Sequence, residues 1–127
     1  MKITVLKTSC PVVPTWLIGE WMEVNGESSA RFKIAIKEKV KTFDILVEGY
    51  DSSDCEIIEI KDISYTNKTL KFSSIVPSTN FIGHHQFMPG EKDGVVKHVF
   101  TFEECWIRKK AHLSTLKLLP KKHVPHL

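Results

Sequence analysis

The feature that most constrains this chain is the shortness of its turns. Apolar, β-branched and aromatic runs follow one another along the sequence: "RFKIAIKE" (31–38), "TFDILVEGY" (42–50), "CEIIEIKDISY" (55–65), "TLKFSSIV" (69–76), "FIGHHQFM" (81–88) and "GVVKHVFTFEECWIRK" (94–109). Between them lie turn residues such as "DSSD", "TNK", "PSTN" and "PGEKDG". Each link is about 2–6 residues, too short for the crossover helix that parallel neighbours need. The strands are therefore expected to be antiparallel and sequential. An earlier run, "TWLIGEWMEV" (15–24), ends at Asn25-Gly26, a pair that favours a tight hairpin. The alternation assigns faces. Phe32, Ile34 and Ile36 point one way, opposite Arg31, Lys33 and Lys37; Phe43, Ile45 and Val47 share a face, as do Leu70 and Phe72. Seven to eight such strands must close into a barrel or fold into two layers.

A chain of 127 residues suits one domain. Residues 1–110 read as a single β-barrel domain. Residues 111–127 read as a short helix before Pro120, carrying leucines at 113, 116, 118 and 119, and then a flexible basic tail, "KKHVPHL". A charge of +3 is mild. Arg31, Lys33, Lys37, Lys39 and Lys41 cluster round one hairpin without interleaved aromatics, so that face reads as solvated and no nucleic-acid partner is expected. No apolar run reaches the ~18 residues of a membrane span. The opening "MKITVLKTSCPVVPTW" is a poor signal peptide, interrupted by Lys7 and Pro11. Cys10, Cys55 and Cys105 are widely spaced and odd in number, which points to reduced thiols and a cytoplasmic setting.

Chemistry-bearing groups gather late in the chain. His84, His85 and His98 fall on neighbouring strands, but adjacent histidines diverge, so at most one of the first two joins His98. No metal and no other cofactor is expected. Ser73, Ser74 and Ser78 lack the elbow motif of a nucleophilic serine. Cys105 and His98, seven apart, fall on opposite faces of a regular strand, and Glu103 and Glu104 likewise diverge. If residues 94–109 form one regular strand, Val96, His98, Phe100, Phe102, Glu104, Trp106 and Arg108 share a face. Two readings stay open for it: the polar members satisfy one another, or they are the convergent polar groups of a mostly apolar small-molecule site.

Gly19-x-Trp21 on the first main strand, the meander, and Arg108 near the end of the last strand resemble the calycins: lipocalins, fatty-acid-binding proteins and avidins. The resemblance covers residues 15–109 as architecture and two or three residues as motif. It lacks the helical lid of fatty-acid-binding proteins and the tryptophan-rich pocket strands of avidins. It implies an up-and-down barrel with Trp21 buried at the closed end, Arg108 packed over its ring, and Gly19 letting the strand bend. It also implies a non-catalytic protein holding a small hydrophobic ligand, with His98, Phe100, Phe102, Glu104 and Trp106 as candidate contacts. The alternative is a protein-interaction or structural module with a filled interior, since inward Trp21, Phe32, Phe43, Phe72, Phe100 and Phe102 would occupy much of a small barrel. An enzyme is the third reading, and the sequence offers it no convincing catalytic set. Oligomeric state, a homodimer included, is left open.

Overall fold

The computed structural model describes residues 2–9, 12–24, 28–104 and 107–118, and from residue 103 onward it describes the backbone alone. Among these residues the fold is all-β. Nine strands form one sheet: β1 (Thr4–Thr8), β2 (Gly19–Glu23), β3 (Ala30–Glu38), β4 (Phe43–Asp51), β5 (Ile57–Thr66), β6 (Thr69–Val76), β7 (Phe81–Pro89), β8 (Val95–Glu104) and β9 (Ile107–Leu118). From β2 to β9 every strand pairs antiparallel with the next in sequence, as the short turns require. The sheet curls. β2 pairs with β3 on one side and with β9 on the other, through Trp21↔Leu118. β4 reaches β5 through only Gly49↔Ile58 and Tyr50↔Ile57. The reason is β1, which takes the other half of that edge from Thr4↔Val47 to Thr8↔Phe43. The Thr4 hydroxyl also donates to the Ile60 carbonyl at 2.9 Å, so β1 bridges the splay between β4 and β5.

The alternation predicts the core correctly in the central strands. Phe32, Ile34, Phe43, Ile45, Val47, Leu70 and Phe72 are all buried. Register gathers them towards two ends. At one end Leu17, Trp21, Phe43, Ile45, Leu70, Phe87 and Val96 pack without exposure. Trp21 is 1% exposed, and its indole N–H donates to the Leu17 carbonyl at 2.8 Å. That carbonyl is presented by a 3-10 turn at Thr15–Leu17, so the run 15–24 is a turn followed by a shorter strand. Gly19 opens β2 at φ 151°, a backbone angle that suits glycine.

Three expectations are corrected. The run 94–109 is not one strand: β8 ends at Glu104 and β9 starts at Ile107, with Glu104 paired to Ile107 across the reversal. Arg108 and His98 therefore lie on different strands. The short helix expected over 111–118 is strand instead. A helix there would leave the edges of β8 and β2 unpaired, whereas β9 pairs with both. Finally, Thr4–Thr8 forms a strand, β1, that the series of expected strands did not include. The Asn25-Gly26 turn and the tail from 119 lie outside the described residues. No helix of the described residues is long and apolar enough to cross a membrane.

Two substitutions test this packing. Trp21→Ala removes a fully buried ring and leaves the Leu17 carbonyl without its donor; the expected loss is about 3–5 kcal/mol in denaturant unfolding. Gly90 sits where the chain leaves β7, and an added Cβ would collide with the Val95 carbonyl, which is backbone and cannot rotate away. Gly90→Ala should cost about 1–3 kcal/mol, and parent-like unfolding would refute the tight turn.

Candidate functional site

At the opposite end from Trp21 the interior is not filled. A cavity of about 190 Å³ lies between Glu23, Ser28, Ala30, Asp51 and Val76 at its rim and His85, His98 and Phe100 further in. Its walls are mainly Phe32, Ile58, Val76, Phe81 and Phe100.

The polar floor is built by register. β7 lies between β6 and β8, with Phe72↔His85↔Phe100 in line across the three strands. His85 thus points inward and His84 outward, as the divergence of adjacent strand residues demands. His84 Nδ1 lies 2.8 Å from the Ser73 hydroxyl. On the inner face, Ser74 Oγ is 2.7 Å from His85 Nε2, and His85 Nδ1 is 2.9 Å from His98 Nε2. Three strands therefore contribute to one buried chain of hydrogen bonds, Ser74–His85–His98. The His85 ring stacks on Phe72 at 4.9 Å and meets Phe32 edge-on at 4.8 Å, while His98 lies beside it nearly in plane, the ring centres 5.1 Å apart. Gly83, opposite Ser74, makes this crowding feasible. A Cβ there would lie 2.5 Å from the Phe100 ring, 3.0 Å from Ser74 Oγ and 3.2 Å from His85 Nε2.

Electrostatically the centre of the floor, His85, is held neutral. Burial, and then the neighbouring His98 and His84, push the His85 pKa well below the usual imidazole value. At the rim, hydrogen bonds from the Ser53 hydroxyl and N–H, 2.6 and 2.8 Å from Asp51 Oδ1, hold the Asp51 carboxyl below its ordinary range.

Of the residues singled out by sequence, His98 and Phe100 line the cavity. Phe102 is half-buried and stacks on Phe81 and Phe100 at 5.6 and 5.7 Å, beside the cavity wall. The side chains of Glu104, Trp106 and Arg108 lie outside the described residues, as does Cys105. The backbone nevertheless corrects the expected Arg108–Trp21 contact: Trp21 pairs with Leu118 at the far end of β9, and Arg108 stands at its start. Sequence reasoning expected at most one of His84 and His85 to join His98, and it is His85 that does; the role of Ser74 was missed. The signal was present: Ser74 has the parity of Leu70 and Phe72, and His85 that of Phe87, so both are polar residues on an apolar face. Among the described residues no group of three His, Cys, Asp or Glu side chains is placed to hold a metal ion.

A pH dependence follows from the neutral His85. Below pH ~6.5 an unfolded histidine takes up a proton while folded His85 does not, so stability falls as pH drops through that value. The slope for one such group approaches about 1.4 kcal/mol per pH unit. The depressed carboxyls of Asp51 and Glu59 act only at lower pH, near the carboxylate range. The denaturation midpoint should therefore fall between pH 7 and pH 5, while the His85 ring carbons keep neutral-imidazole chemical shifts in the folded protein. An imidazolium His85 in folded protein at pH 5.5 would contradict the buried arrangement.

No known protein family, curated protein or solved structure matches this chain in the three comparisons made.

Proposed function

We propose that this protein is a non-catalytic, calycin-like barrel that carries a small, mostly apolar molecule in its interior. The observation that supports it is the uneven filling of that interior. One end is packed solid round Trp21, and the other holds the cavity of about 190 Å³ over the Ser74–His85–His98 chain. Apolar walls with a few convergent polar groups are the usual composition of a small-molecule site. The volume somewhat exceeds the ~150 Å³ void that takes up benzene, and lies below the ~300–1,000 Å³ of drug-sized pockets. The fitting ligand is therefore compact, about one ring with small substituents.

The alternative of a filled, ligand-free module draws support from the Trp21 end alone. A catalytic serine is disfavoured for a different reason. Ser74 has a histidine at the right distance, but acyl transfer also needs donors for the developing oxyanion. Ser74 stands in register with Ile60 and Gly83 in the interior of the sheet, where strand pairing takes up the backbone donors. The cytoplasmic setting is part of the same proposal; the free, exposed Cys55 thiol suits a reducing compartment.

The test is direct. Native mass spectrometry of gently purified protein should show a bound small molecule, and stripped protein should bind benzene or toluene in NMR titration, with shifts confined to Phe32, Phe81, His85 and Phe100. Ala30→Phe places a ring in the cavity and should abolish binding while leaving the strand signature in circular dichroism. Binding that persists in this variant, or no uptake of any small aromatic by the parent, would refute an internal site.

A further inference from the structure

The rim of the cavity carries charge on positions that strand parity turns inward. Glu23 stands two residues beyond the buried Trp21 on β2. Asp51 stands two beyond the buried Gly49 on β4, in register with Ala30, which shares the parity of Phe32 on β3. Both acids therefore lie on the inner face where the interior meets solvent, and both line the cavity. Carboxylates at such positions do nothing for an apolar core. Among the described residues no lysine or arginine lines the cavity. Arg31 lies near Asp51, but its guanidinium donates to the Ser28 and Ala30 carbonyls, each at 3.1 Å. Hydrogen bonds, the Ser53 hydroxyl first, keep Asp51 ionised. One guanidinium against two carboxylates leaves this described rim negative.

We infer that the site takes a compact aromatic ring carrying a cationic amino group on a short tether, with the ring between Phe32, Phe81 and Phe100 and the ammonium at the Glu23–Asp51 rim. This rests on the internal-site reading above and names its ligand class. The walls suit such a guest, because three phenylalanines offer ring faces and edges to it. The division of charge suits it too. An ammonium at the half-exposed rim keeps part of its hydration and gains two opposite charges. The same group at the buried floor would lose its water beside His85, an imidazole without charge to offset it. The guest therefore enters ring first. An anion of equal size meets like charge at the entrance.

The experiment uses the full chain and four probes of similar size: toluene, benzyl alcohol, benzylamine and benzoate. Dissociation constants come from NMR titration at neutral pH, where benzylamine is protonated. Benzylamine should bind a few-fold tighter than benzyl alcohol, the effect of a solvent-exposed ion pair, and benzoate a few-fold weaker. The amine advantage should shrink as salt rises from about 0.01 M to about 1 M. The double variant Glu23→Gln/Asp51→Asn should erase it and leave toluene binding intact. Benzylamine no tighter than benzyl alcohol, benzoate as tight as benzylamine, or an amine advantage that survives in the double variant overturns the amine class. Toluene binding in any of these cases leaves the internal site standing. Failure of all four probes to bind overturns both. Should the double variant unfold, the parent protein decides: an amine advantage indifferent to salt overturns the inference.

Discussion

Strand β7 is held in register on both sides, and the site depends on it. A slip of one residue against β6 or β8 would exchange His85 for His84 on the inner face. It would move Phe87 out of the packed end and break the contacts of His85 with Ser74 and His98 at once. The register is secured from both ends of the strand. Phe87 is wholly buried against Phe32 and Phe72 at 6.2 and 5.5 Å. At the other end Gly83 alone fits between Phe100 and Ser74. Packing thus fixes a hydrogen-bond geometry that three hydrogen-bonding side chains could not fix by themselves.

The two ends of the interior show how one sequence periodicity serves two purposes. Along β6 the inward positions run Leu70, Phe72, Ser74, and along β7 from the far end Phe87, His85, Gly83. The inward positions shrink at Ser74 and Gly83, which opens room for the histidines, before Val76 and Phe81 resume the apolar wall. The outer surface is tied across strands independently: the Tyr50 hydroxyl donates to Glu20 at 2.6 Å, and the Lys33 ammonium lies 5.4 Å over the Tyr50 ring. These contacts join β2, β3 and β4 without drawing on the interior.

Much of this was legible in the sequence where periodicity was strict. β3 and β4 alternate cleanly, and their inward residues are the buried ones. The inward face of His98 also follows from parity, whereas the burial of Trp21 was expected from the calycin resemblance. What escaped prediction depends on partners distant in the chain. β9 carries leucines spaced to suggest a helix, and only the unpaired edges of β8 and β2 make it a strand. β1 has the same explanation: nothing within "TVLKT" announces the open half of β4 that it covers. Ser74 drew no role from the sequence because its meaning lies in a histidine eleven residues away.

The position of β1 also bears on solubility. β4 is a heavily buried strand, and without β1 its amides and carbonyls from Phe43 to Val47 would face outward in an extended row. Such a row is a template on which a second chain can dock. β1 occupies it, and its own flank carries Lys2, held 2.7 Å from Glu59, and Lys7 as charged interruptions. Five residues that touch no part of the cavity thereby act as a guard against fibrillar self-assembly, and their detachment would expose the hazard before the rest of the sheet had loosened.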